Sequence, residues 1–124
     1  MSTELNHIIV PAYDPKASAQ FLAGILDLPI DPPVARFTPI TLANRVTLDY
    51  LQQDGFASHH CAFLVGEQEF DAAFARIKAA GIDYWADPHH QQPGEIYHTS
   101  SGGRGVYFPD PSGHNMEILT RPAM

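Results

Sequence analysis

Apolar and polar positions follow one order of elements along the chain, and then follow it again. Residues 5–12 form a short apolar run rich in β-branched side chains, which reads as a strand. Asp14-Pro15 then predicts a helix start, with a capping carboxylate followed by proline at the first helical position. Phe21, Leu22, Ile25 and Leu26 repeat at helical spacing, and Pro29 stops the helix soon after Leu28. Residues 32–51 break into short extended pieces around an Ala43-Asn44 turn, and residues 46–51 are the clearest strand among them.

After the polar, turn-like Gln52-Gln53-Asp54-Gly55, the order restarts. Residues 59–65 read as a strand. Residues 66–80 read as a helix with Phe70, Phe74 and Ile77 on one face, and Gly81 supplies a C-terminal glycine cap. A strand begins at residues 82–85, and residues 87–103 form a polar loop. Residues 105–108 and 115–120 then make a hairpin around Asp110-Pro111-Ser112-Gly113. His7 stands 14 residues before Phe21, and His60 stands 14 before Phe74. The pattern predicts an α+β protein, a single domain over 1–124 built of two βαβββ modules, 1–55 and 56–124.

Composition narrows the function classes. The 124 residues are 44% hydrophobic and 17% charged, as in an ordinary globular domain. A formal charge of −7, with seven scattered Lys and Arg residues, argues against nucleic-acid binding and against anionic membranes. Cys61 is the single cysteine, so no internal disulfide forms, and its apolar neighbours make it a small buried hydrophobe. The first residues carry no basic region with a long apolar stretch, and no run nears the roughly 20 apolar residues of a membrane span. A cytoplasmic location is expected.

Three residues place polar groups inside apolar strands: His7 in Leu5-Asn6-His7-Ile8-Ile9-Val10, His60 before Cys61-Ala62-Phe63-Leu64, and Glu117 in Met116-Glu117-Ile118-Leu119. A carboxylate buried in a strand costs several kcal/mol unless something compensates it. One divalent metal ion is an effective partner, and two imidazoles with one carboxylate suit catalytic zinc or a non-haem iron(II) triad. Asp49, in Leu48-Asp49-Tyr50, has the same context as Glu117 and is a candidate fourth ligand or a neighbouring polar group.

These residues resemble the vicinal oxygen chelate superfamily, which includes glyoxalase I, fosfomycin-resistance proteins, bleomycin-resistance proteins and extradiol ring-cleaving dioxygenases. The resemblance rests on Leu5-Asn6-His7, His60-Cys61-Ala62-Phe63 and the stretch from Tyr107 through Asp110-Pro111-Ser112-Gly113 to Glu117. It implies a cupped mixed sheet with helices on the outer face, metal ligands at His7, His60 and Glu117, and a glyoxalase-type fourth ligand at or near Asp49. His60 fits better than His59, because it directly precedes Cys61-Ala62-Phe63.

A further likeness concerns reaction type. Extradiol enzymes carry a histidine, a spacer, an apolar residue with tyrosine, then Asp-Pro-x-Gly and the ligand glutamate. Here Ile96-Tyr97-His98, Val106-Tyr107, Asp110-Pro111-Ser112-Gly113 and Glu117 match that order. By that likeness His98 is the acid–base group and Tyr107 a hydrogen-bond donor to a substrate oxygen. The resemblance implies a small-molecule substrate with adjacent oxygens and a metal among Fe, Ni, Zn, Mn and Co. The readings are an extradiol dioxygenase-like enzyme, a glyoxalase-like lyase or isomerase, and a metal-free binding protein of the bleomycin-resistance type. Fosfomycin chemistry ranks low, since the chain offers chiefly Arg104 where a phosphonate needs several bases. Cavity walls are expected from Ile9, Ala62, Trp85, Tyr97 and Tyr107, and open sheet edges in so short a chain predict a homodimer.

Overall fold

The structure, a computed structural model, describes residues 2–122. They fall into two compact units that part between Ala57 and Ser58. The first holds β1 (His7–Ala12), α1 (Pro15–Leu26), β2 (Phe37–Thr41) and β3 (Thr47–Gln52). Its sheet runs β1-β3-β2, with β1 parallel and β2 antiparallel to β3.

The local chemistry explains these elements. Asp14 accepts a hydrogen bond from Ala17 N at 3.2 Å and so caps α1, with Pro15 just inside the start. The helix buries Leu22 and Ile25 and packs on all three strands. Alternation sends Val10 and Ala12 of β1, Ile40 of β2 and Leu48 and Tyr50 of β3 to the buried side. Each large aliphatic side chain so buried contributes about 1.5–3 kcal/mol. The opposite side presents His7, Ile9, Thr47 and Asp49. Where a further strand was expected before β2, Pro32 and Pro33 lack the N–H groups a ladder needs, and only the bridge between Val34 and Phe37 forms.

The second unit holds β4 (His60–Leu64), α2 (Glu67–Ala79), β5 (Tyr97–His98), β6 (Arg104–Pro109) and β7 (Asn115–Leu119). The strand order is β4-β7-β6-β5, with β4 parallel to β7 and the other pairs antiparallel. Glu67 and Glu69 lie in the first turn of α2 and Arg76 and Lys78 in its last, matching the helix dipole. The helix ends as the glycine predicts. Gly81 takes φ +69°, its N–H reaches the Lys78 carbonyl at 3.1 Å, and the Ile82 N–H reaches the Ile77 carbonyl at 3.1 Å. Arg104 ties α2 to β6, pairing with Glu67 at 2.8 Å and Asp71 at 2.9 Å while its guanidinium lies over the Phe70 ring. Phe63, Val106, Phe108, Met116 and Ile118 are buried on one side of this sheet.

Two differences from the sequence pattern matter for the site. The strand expected at residues 82–85 is reduced to Trp85, bridged to Tyr107 and Pro93. The polar loop contains β5, whose two residues extend the sheet beyond β6. Among the described residues no helix is long and apolar enough to cross a membrane.

Candidate functional site

Glu117 occupies the middle of β7, between Met116 and Ile118, which alternation turns into the core. Its own side chain therefore emerges on the open face, flanked in register by Ala62 of β4 and Tyr107 of β6. It is only 5% exposed, so its oxygens need partners. His60, two residues before Ala62 and so on the same face, brings Nε2 to 2.8 Å from Oε1. The Tyr97 hydroxyl donates to Oε2 at 2.5 Å. Both carboxylate oxygens are thus engaged, one by each edge of the sheet.

Tyr97 reaches Glu117 across Gly105, its partner in the β5–β6 ladder. A Cβ at position 105 would come within 2.0 Å of Cζ and 2.2 Å of the hydroxyl of Tyr97, so only glycine admits the ring. The Tyr107 ring completes the cluster, 5.6 Å from the His60 ring and 6.0 Å from the Tyr97 ring. Burial, and then the charge of Glu117, push the Tyr107 phenol up to about 12. Burial and the hydrogen bond to Glu117 raise Tyr97 further. Both phenols are therefore neutral hydrogen-bond donors at neutral pH.

An aromatic rim borders this face. Trp85 exchanges two backbone hydrogen bonds of 2.9 Å with Tyr107 and stacks on His90, with ring centroids 3.8 Å apart and planes 7° from parallel. His90 Nε2 lies 3.1 Å from Asn115 Oδ1, and Asn115 is the ladder partner of His60. The loop carrying His90 is folded by Asp87, whose carboxylate accepts from the backbone N–H groups of Gln91 and Gln92.

The turn between β6 and β7 fixes the start of β4. Asp110 Oδ1 accepts from the N–H groups of Ser112 and His114, and the fully buried His114 accepts the His59 N–H on Nδ1 at 2.8 Å. The His59 ring lies tilted by 58° against His114, with centroids 4.8 Å apart, and the next residue, His60, is the one facing Glu117. Asp110 is itself buried, which raises its carboxyl above the usual range. Burial likewise raises the Cys61 thiol, with Asp110 adding to it, so this cysteine is a protonated packing residue.

The other residues singled out by the sequence lie elsewhere. His7 and Asp49 belong to the open face of the first unit, where Asn6, Asp31, Thr41 and Thr47 join them around a cavity of about 480 Å³. His7 Nδ1 lies 2.8 Å from Asn6 Oδ1, and Thr41 donates to Asp31 at 2.6 Å. Asp49 is half-buried and accepts no side-chain hydrogen bond from the described residues. His98 is exposed, and strand alternation turns it to the opposite side of β5 from Tyr97. Ile9 is 45% exposed in the first unit, while Ala62 and Trp85 flank the second unit's face. Among the described residues no group of three or more His, Cys, Asp or Glu side chains is gathered for a metal ion.

The structure thus joins His60, Glu117, Tyr97 and Tyr107 within the second unit. An imidazole nitrogen and a carboxylate oxygen facing each other at 2.8 Å on an open sheet face are donors suited to zinc, iron, nickel or cobalt. The pairing of Tyr97 with Glu117 was not read from the sequence. Its signal was Gly105, a glycine inside a strand.

The family model described as the Glyoxalase/Bleomycin resistance protein/Dioxygenase superfamily matches residues 4–118. Among solved structures, that of Oxidase ChaP-H2 is 56% identical, covers 98% of this chain and 96% of its own, and has a TM-score of 0.95. Oxidase ChaP-H1 is 52% identical over 98% of both chains, with a TM-score of 0.93. Metallothiol transferase FosB of Shouchella clausii is 34% identical over 61 residues, which span 49% of this chain and 37% of that protein.

Proposed function

The chain belongs to the glyoxalase/bleomycin resistance protein/dioxygenase superfamily, and on that premise we propose that it is a metal-dependent oxygenase for a small aromatic substrate with adjacent oxygens. One observation carries the reading. Glu117 is buried on an otherwise open face, held by His60 and Tyr97, with Tyr107 beside it and Trp85 bridged to Tyr107. A buried acid with nitrogen and phenol partners is costly as scaffolding and useful as a ligand.

In the proposed set, His60 and Glu117 would hold the metal, the role the family resemblance gives them. A divalent ion held there supplies Lewis acidity toward two vicinal oxygens and, as iron(II), reactivity with dioxygen. Tyr107, neutral at working pH, donates a hydrogen bond to a substrate oxygen. The rings of Tyr107 and Trp85 supply flat apolar surface for a planar substrate and exclude water from it. His98 takes no part in positioning Glu117 in this arrangement.

The name of the 56% identical relative, an oxidase, favours oxygen chemistry over the lyase reading. The decisive measurement is elemental analysis of anaerobically purified protein, followed by oxygen uptake with catechols and larger ortho-diphenols. Iron near one equivalent and substrate-dependent oxygen consumption are expected. Nickel, cobalt or zinc with no oxygen uptake would establish the glyoxalase-like alternative instead. Protein that takes up no metal under any condition would leave only the binding-protein reading.

A further inference from the structure

Glu117 has two oxygens, and the sheet treats them differently. Oε1 faces the imidazole of His60, the group with which it shares a cation in the proposed site. Oε2 faces away from it and accepts from Tyr97 at 2.5 Å. A carboxylate with both oxygens free can chelate an ion with two bonds or swing between one-bond and two-bond states. A carboxylate with one oxygen tied down offers a single bond in a single orientation.

The tie is built into the backbone. Tyr97 stands on a strand of only two residues, and its ring lies flat across Gly105, where any side chain would collide with the ring within 2.0–2.3 Å. Gly105 keeps an ordinary negative-φ backbone, so the glycine is not there for a turn. It serves as a notch. In the ladder Glu117 is flanked by Ala62, which has no polar group, and by Tyr107, whose phenol also interacts with the carboxylate.

We propose that Tyr97 is a positioning residue, seated in the notch at Gly105, whose hydroxyl holds one oxygen of Glu117 so that the other alone is offered to a metal ion. This rests on the metal reading given above and adds to it the residue that sets the coordination number. With one oxygen from Glu117, more positions on the metal stay open for the substrate's two oxygens and a third small ligand. With two, the metal is partly filled before substrate arrives.

The test is a cobalt(II) titration of the apoprotein, followed by its visible d–d spectrum, in the wild type, Tyr97→Phe and Gly105→Ala. The phenyl ring of Tyr97→Phe fills the same space without the hydroxyl, so circular dichroism and thermal midpoint serve as a fold control. The expected result is one equivalent bound by the wild type. Affinity should fall roughly 10- to 100-fold in Tyr97→Phe, the range for lost outer-sphere partners. The d–d bands should also weaken, because the freed carboxylate binds through both oxygens and raises the coordination number. Gly105→Ala, which displaces the ring while retaining the hydroxyl, should reproduce the change. Equal affinity and an unchanged spectrum in Tyr97→Phe would overturn the proposal while leaving the metal reading intact. A wild type that binds no cobalt would overturn both, and the wild-type arm alone distinguishes the two failures.

Discussion

The two units carry the same ladder with different chemistry on it. In the first, His7 pairs with Thr47 and Ile9 with Asp49 across parallel strands, and Pro39 meets Asp49 from the antiparallel side. In the second, His60 pairs with Asn115, Ala62 with Glu117, and Tyr107 meets Glu117 from the antiparallel side. Histidine and acid therefore occupy equivalent positions in both sheets. Yet Glu117 is 5% exposed and bonded through both oxygens, whereas Asp49 is half-buried and accepts no side-chain hydrogen bond from described residues. The difference comes from the neighbours. Where the second unit places Tyr107 and Gly105, the first has Pro39 and Phe37, and neither can donate or make room for a donor. In the proposed site, an acid in a strand serves as a ligand only where its flanking strands bring it partners.

The largest expected effect tests that statement. Glu117→Gln keeps the shape of the side chain and removes its charge, and should lower metal affinity at least about 100-fold, more than the loss of an outer partner does. Asp49→Asn should change it less than about threefold. Parallel titrations with iron(II) or cobalt(II) measure both. If Asp49→Asn costs as much as Glu117→Gln, the partners that its own sheet brings to an acid do not decide its role.

How much of this was legible in the sequence follows the same division. The α+β order and the repeat could be read because helix spacing, the Asp14-Pro15 start and the Gly81 stop are local signals. His60 and Glu117 stand out in the sequence as polar residues in apolar runs, and the structure brings them to 2.8 Å of each other, with Glu117 buried and His60 exposed. Tyr97 could not be separated from His98. Adjacent strand residues face opposite ways, and a two-residue strand has no periodicity to show which faces in. The choice is made by the pairing of Tyr97 with Gly105, a contact that depends on tertiary register. His114 was also invisible as a support, because its partner is a backbone N–H 55 residues away in sequence.

The two reversals that lead into β3 and β7 close with the same pair of hydrogen bonds. Leu42 and Arg45 bond to Val46 and back to Leu42, at 2.9 Å each, and Asp110 and Gly113 bond to His114 and back to Asp110, at 3.0 Å each. In both, the fourth residue takes positive φ, +69° at Arg45 and +86° at Gly113. Gly113→Ala meets no atom within 4 Å, so its cost is that of the backbone alone. About 1 kcal/mol of lost stability is expected from the left-handed penalty, measurable by urea unfolding. Because this turn also carries Asp110 and His114, a loss of metal affinity should accompany it; stability loss with metal binding unchanged would show that the turn does not set the position of His60.

Arg45 offers the reverse experiment and the smallest effect. It adopts at +69° the conformation that the second unit assigns to glycine. Its backbone N–H closes the turn, and glycine would preserve that bond. Removing the side chain relieves a left-handed penalty of about 1–2 kcal/mol. The unfolded chain, however, gains freedom with glycine that offsets about 0.4–1 kcal/mol. The first quantity exceeds the second, so Arg45→Gly should stabilise the protein by about 0.5 kcal/mol, raising the thermal midpoint by roughly 1–3 °C for a domain of this size. Metal affinity should not change, because the first unit's turn supports no residue of the Glu117 cluster. A lowered midpoint would mean that the Arg45 side chain stabilises the turn by more than its backbone strain costs, and the two reversals would then be alike in hydrogen bonding but not in energetics.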